Sequence, residues 1–280
     1  MDSIRFNSVN TTPALPAPSN RIETAPQAPP PQGDSVNIGG AFKNAIKLTG
    51  ATIMGLGMGT GIGIANGVKE AHNSALKSMG LEGPAQTKGQ AVQKALVYLG
   101  SFAGIAACAP LGFPGLLVGV VAGPGMVGGM IQAGKGAVEG AKTGINVARN
   151  AGNKAEAAVA GKLGGLAGKA AKLATTVATG LVTTPVLALV NTAAESLKFA
   201  FNTIGVNPQA QDGKEKLSNV AKIGATVIPY LDGLVEGGGL IEGGLAGAAV
   251  AGGMATTVKG AIGAGKGFMA GFKEGFSSIK

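Results

Sequence analysis

Tryptophan is absent from this sequence, which carries only two Tyr, one Cys and one His. Each scarcity removes a class of chemistry. A single cysteine, Cys108, excludes an internal disulfide. One His and one Cys leave metal sites and Ser/His or Cys/His nucleophile pairs with almost nothing to draw on. The 14 carboxylates are scattered, with no acid/base pair in an apolar setting. No catalytic, cofactor or metal-ligating residue is expected, and the chain does not read as an enzyme. His72, beside Glu70 and Asn73, reads as ordinary surface. Cys108 lies in an apolar run and reads as packing.

Charge is also scarce. Asp, Glu, Lys and Arg make up 13% of the chain, about half the usual share. What charge there is leans basic, with 23 Lys and Arg and a net charge of +9. Arginine occurs only at Arg5, Arg21 and Arg149. Nucleic-acid readers rely on arginine and on stacking aromatics, and aromatics are 4% here. The basic balance therefore points to an anionic membrane surface and away from nucleic acid.

Glycine is what the chain has in excess, 50 of 280 residues, against about 7% in average usage. Much of the apolar count is Ala and Gly, too small to build a soluble core by buried area. Small residues are how membrane helices approach one another closely.

The organising stretch is Ala95 to Gly134, which carries no charge between Lys94 and Lys135. Ala109-Pro110-Leu111-Gly112-Phe113-Pro114-Gly115 marks a turn near its middle. Two apolar helices folded back on each other are expected, Gln90 to Ala107 and Leu116 to about Val147. The Gly123-Pro124-Gly125 triplet is expected to kink the second, and Asn150 to Asn153 to form a joint. Each arm approaches the roughly 20 residues that span hydrocarbon.

Other segments repeat the theme. Residues 1–35, rich in Pro, Ser, Thr, Asn and Gln, are expected to be a disordered tail, with PxxP matches at Pro13 to Pro16 and Pro26 to Pro29. It lacks the apolar core of a cleavable signal, so export would use a route that reads an uncleaved N-terminus. A helix is expected within 36–82, with Leu48 to Val68 uncharged. Gly55, Gly59, Gly63 and Gly67 recur every four residues there, a smooth stripe expected at a helix–helix contact. Residues 88–149 hold the apolar hairpin, with Gly115, Gly119 and Gly123 as its packing glycines. Residues 154–205 are a helical region, uncharged from Leu173 to Ala194, with a kink or second tip expected at Thr183-Thr184-Pro185. Residues 214–280 are expected to form a second hairpin, Lys216 to Leu231 and Gly239 to Lys280. Its tip carries Asp232, Glu236 and Glu242, which are expensive to carry across a bilayer, so this copy fits the interface better than a span.

An internal repeat supports that layout. At an offset of 124, Gly119 falls on Gly243, Ala122-Gly123 on Ala246-Gly247, Gly128-Gly129-Met130 on Gly252-Gly253-Met254, and Lys135-Gly136-Ala137 on Lys259-Gly260-Ala261. The final helix has an apolar face with Phe268, Phe272 and Phe276, bordered by Lys259, Lys266 and Lys273, and a glycine seam at Gly263, Gly267, Gly271 and Gly275. With Lys135 and Lys142, these Lys and Phe side chains are the expected membrane-surface set. Two segments approach a phosphate loop, Gly129 to Lys135 and Gly260 to Lys266. Gly136 and Gly267 replace the hydroxyl that would hold Mg²⁺, so nucleotide binding is not expected.

A Pro/Ser/Thr/Asn-rich N-terminus followed by Gly/Ala-rich helices resembles bacterial type III secreted effectors and translocators. The resemblance is one of layout and composition; it carries no motif, so no functional residues transfer. It implies a secreted protein whose tail is the secretion address, with a secretion chaperone as a partner, and whose helices insert into or lie on a host or cell membrane. The expected fold is all-α, Gly-rich helical hairpins after a disordered tail, with homo-oligomerisation through the glycine stripes as a further expectation. Alternatives are a Gly-zipper pore former or bacteriocin-like toxin, a soluble helical scaffold, and a lipid-droplet hairpin protein.

Overall fold

The computed structural model describes residues 38–278. The Pro-rich tail, its PxxP segments and the secretion address read there lie outside the described residues. One packed unit runs from Lys43 onward. Among the described residues there are six α-helices and no strand: α1 (Ile38–Ser78), α2 (Lys88–Cys108), α3 (Gly112–Leu163), α4 (Gly165–Ile204), α5 (Gly213–Glu236) and α6 (Leu240–Ser277).

Local chemistry sets the ends. Thr87 caps α2 by accepting from the Gln90 N–H at 3.2 Å, and Asp212 caps α5 at the Lys214 N–H, both supplying acceptors to orphan amides. Between α2 and α3 a single 3₁₀ turn, Ala109–Leu111, holds Pro110, and Gly112 turns the chain at φ 69°. Gly164, at φ 92°, separates α3 from α4. Both angles are ones that side-chain-bearing residues rarely adopt.

α3, at 52 residues, is about 78 Å long and is the axis of the fold. Its glycines are distributed among three neighbours. Gly119 and Gly123 back onto Gly104 and Gly100 of α2. Gly125 and Gly129 meet Gly252 and Ala248 of α6. Gly136, Gly140, Gly144 and Gly152 meet Asn191, Leu187, Thr184 and Thr176 of α4. In each seam the numbers fall on one helix as they rise on the other, so all three pairs are antiparallel. α5 and α6 pair the same way, Gly233 on Gly247 and Gly237 on Gly243. The repeat has a structural meaning: Gly119 and Gly123 of α3, and their counterparts Gly243 and Gly247 of α6, each seat on the preceding helix.

Two expected breaks, a joint at Asn150 to Asn153 and a hairpin tip at Thr183-Thr184-Pro185, are absent. α3 continues through Asn150 to Asn153 because Gly152 is packed on Lys172 and Thr176 of α4 and nothing there needs a positive φ. The break comes at Gly164 instead. α4 runs unbroken through Thr183-Thr184-Pro185, with no hairpin tip. α3 also continues through Pro124. A proline at this position leaves the Val120 carbonyl without its helical N–H donor. The Ser101 hydroxyl of α2 donates to that carbonyl at 3.0 Å, replacing the lost bond from outside the helix.

Candidate membrane-binding surface

The core is built from small side chains. The buried apolar residues are mostly alanine, with six larger ones among the described residues: Leu76, Leu81, Val97, Phe199, Ile204 and Tyr230. Phe199 reaches inward because Gly128 and Gly252 leave room for its ring. The large aliphatic and aromatic residues stand outside: Phe102 is 69% exposed, Leu173 68% and Leu181 74%. Water-soluble packing puts such side chains in the interior, where each contributes about 1.5–3 kcal/mol. Here the glycine seams draw the backbones together and the large side chains face away.

Hydroxyls bond across the seams. Thr256 of α6 donates to the Ala122 carbonyl of α3 at 3.3 Å, Thr183 of α4 to the Gly144 carbonyl at 3.2 Å, and Thr203 of α4 to the Ser78 hydroxyl of α1 at 2.8 Å. Small-residue seams with hydroxyl cross-links are the contact type used between helices in lipid. Four helices among those described are long and apolar enough to cross a membrane: α1, α3 (in a stretch that also takes in α2), α4 and α6.

The charge-free stretches of three helices lie at one level. The Gly100–Gly123 and Gly104–Gly119 pairs set Ala95–Cys108 of α2 beside the Gly115–Gly128 part of α3. The Gly125–Gly252 and Gly129–Ala248 pairs set Gly243–Val258 of α6 beside the Gly119–Gly134 part. Together the two neighbours cover Gly115–Gly134 of α3, about 30 Å at 1.5 Å per residue and so the depth of a bilayer's hydrocarbon, and all three helices run charge-free side by side over Gly119–Gly128, about 15 Å of it. At the same level the C-terminus of α4 gathers polar groups, with Lys222 Nζ donating to the Gly205 carbonyl at 2.7 Å and Lys259 half-buried beside it.

α4 lies at a different level. Its uncharged run, Leu173 to Ala194, is paired by the α3 glycines with the stretch Gly134–Ala155, which carries Lys135, Glu139, Lys142, Arg149 and Lys154. A transmembrane α4 would bring Lys142 and Arg149 with it, at about 2.5–3.5 kcal/mol each near mid-bilayer.

The expected packing glycines occupy seams. Gly55, Gly59, Gly63 and Gly67 of α1 face Phe272, Phe268, Ala264 and Gly260 of α6, and Gly263, Gly267, Gly271 and Gly275 face Glu70, Asn66, Met58 and Met54 of α1. A methyl built on Gly59 would stand 2.9 Å from the Phe268 carbonyl. Gly115 packs within its own hairpin tip, against Cys108 and Leu111.

The expected membrane-surface set divides. Lys135, Lys142, Lys266 and Lys273 are exposed. Lys135 Nζ reaches Gln93 Oε1 at 3.4 Å. Phe268, Phe272 and Phe276 are half-buried and stack in series, with centroids 6.1 Å and 5.8 Å apart. The rings of Phe268 and Phe272 cover Gly59 and Gly55, so their first neighbours are α1 backbone. The wheel pattern read their face correctly as apolar, but it could not show that another helix already lies on it.

His72 is more connected than its sequence context indicates. Its Nδ1 lies 2.9 Å from the Val68 carbonyl, its Nε2 3.1 Å from Ser101 Oγ, and its ring stacks on Tyr98 at 5.1 Å. It ties α1 to α2. Its partners are one hydroxyl and one backbone carbonyl, and no group of three or more His, Cys, Asp or Glu able to hold a metal occurs among the described residues. A crevice of about 210 Å³ between α1, α3 and α6 is walled by Ile64, Val68, Leu117, Val121 and Ala261 and is almost wholly apolar. Thr257 is its hydroxyl-bearing lining residue, and that hydroxyl donates to the Gly253 carbonyl at 2.8 Å. The chain matches no protein-family model, no curated protein and no solved structure.

Proposed function

We propose that this protein acts at a membrane, binding and inserting through its glycine-packed helical hairpins, and that it does so as a secreted bacterial effector or translocator-like protein. The observation that supports the membrane reading is the inverted packing. Alanine and glycine fill the interior while Phe102, Leu173 and Leu181 face outward. Such a surface is costly in water and matched in hydrocarbon. The charge-free stretch of α3 that α2 and α6 cover between them, Gly115–Gly134, has a bilayer's depth. The secreted, effector-like part of the reading is carried by the resemblance in layout.

No enzymatic role enters this proposal. The expected partners are anionic lipid, a second copy of the chain and a secretion chaperone. The experiment is flotation of the purified protein with anionic vesicles, paired with release of an entrapped dye. Flotation supports the membrane reading. Dye release in the same vesicles would move the role from anchor or translocator to pore former. Protein that stays at the bottom of the gradient would contradict membrane action and favour a soluble scaffold.

A further inference from the structure

From Gly140 onward the α3 glycines with close neighbours meet only α4. The other helices have ended by then. The α3–α6 register sets Leu240, where α6 starts, level with the turn from Ala137 to Ala141, and the α2–α3 register sets Lys88, where α2 starts, level with Lys135. The distal part of α3 and the proximal part of α4 therefore leave the bundle as a two-helix arm.

The two helices of this arm present opposite chemistry. Positions two residues from a four-residue contact stripe point away from the partner helix. On α4 the stripe is Thr176, Gly180, Thr184 and Ala188, so the outward row is Ala178, Val182, Val186 and Val190. On α3 the stripe is Gly136, Gly140, Gly144, Ala148 and Gly152, so the outward row is Val138, Lys142, Asn146, Asn150 and Lys154. The three outward valines of α4 are exposed. Ile145 of α3 extends this apolar surface, sharing a recess with Val177, Leu181 and Pro185 of α4.

Charge selects the occupant. Between Lys135 and Lys172 the arm carries five basic residues on α3 (Lys135, Lys142, Arg149, Lys154, Lys162) and two at the start of α4, Lys169 and Lys172, before its uncharged run, against two acidic ones, Glu139 and Glu156. Glu156 is engaged by Lys172 at 2.9 Å. A helix pair with one apolar edge and one basic edge matches the boundary between acyl chains and anionic headgroups.

We infer that the α3–α4 arm lies in the plane of an anionic bilayer surface, with α4 immersed among the acyl chains and α3 at the phosphates, and does not cross the membrane. This rests on the membrane reading above and adds which element is interfacial and which lipid charge it requires.

The test uses the full chain with Cys108→Ala and one new cysteine at an exposed site: Val186→Cys on α4, Asn146→Cys on α3, or Phe102→Cys on the bundle. Each carries an environment-sensitive NBD label and is mixed with phosphatidylcholine vesicles with or without phosphatidylglycerol. The expected result is that the label at position 186 shifts to the blue and is quenched by lipid-borne quencher only when phosphatidylglycerol is present, while the label at 146 stays in water. Replacing Lys142, Arg149 and Lys154 together by Gln should weaken the response at 186 by about tenfold or more. If both 186 and 146 enter lipid, the arm crosses the membrane and the proposal is overturned. If 102 enters lipid and 186 does not, the arm proposal fails while the membrane reading stands. If no label enters and the protein does not float, both fail.

Discussion

Gly104 of α2 and Gly119 of α3 stand so close that a methyl group on either would run into the other's carbonyl. The seam is backbone against backbone, with no flexible side chain to yield. Gly104→Ala or Gly119→Ala should therefore destabilise the α2–α3 pair by about 1–3 kcal/mol, the usual range for overpacking. Denaturant unfolding in detergent micelles, followed by far-UV circular dichroism, measures it.

Gly57 and Gly61 of α1 meet no neighbour within 4 Å. They lie one turn apart, off the stripe formed by Gly55, Gly59 and Gly63. Gly61→Ala should stabilise the protein by about 0.5–1 kcal/mol, because alanine loses less conformational freedom in a helix. The same change at Gly59 should destabilise. Opposite signs at positions two residues apart, in the same unfolding assay, are the expected outcome.

Ser101 does two jobs. Its hydroxyl donates to the Val120 carbonyl that Pro124 leaves without a helical partner, and it sits 3.1 Å from His72 Nε2. Ser101→Ala strands that carbonyl and should cost about 1–3 kcal/mol. Adding Pro124→Ala restores the helical N–H donor, so the double variant should recover most of the loss. A double-mutant cycle of unfolding free energies reads this directly.

Tyr230 of α5 is buried at 2% exposed, and its hydroxyl finds no hydrogen-bond partner. Tyr230→Phe removes an unpaired polar group and should be neutral or stabilising by about 1 kcal/mol. Burial also pushes the phenol's pKa above its ordinary value. A group whose folded-state pKa is raised contributes stability below its unfolded pKa and loses it as pH climbs through the folded one. The wild type should therefore lose stability above pH about 10, and the Phe variant should lose less over the same window in a pH-resolved denaturation series.

The helices were legible in the sequence because glycine spacing and uncharged runs are local signals. The seams at Gly55, Gly59, Gly63 and Gly67 follow directly from four-residue periodicity. Interruptions were harder, because how a helix continues past a proline depends on a donor from elsewhere. For Pro124 that donor is Ser101, 23 positions earlier. Asn150 to Asn153 looked like a joint by composition, but Gly152 is held against α4, a contact no local pattern contains. The placement of Phe268 and Phe272 was hidden for the same reason. Their face is apolar in either setting, and only the fold shows α1 covering it. The offset between the charge-free run of α4 and that of α3 appears only once the register of the seam is known.

The most direct measurement is alkaline carbonate extraction of protein already floated on anionic vesicles. A bundle whose large apolar side chains meet hydrocarbon should stay with the lipid after the wash. Protein released completely into the supernatant would show that electrostatics alone held it there, and would contradict insertion of the α2–α3–α6 slab.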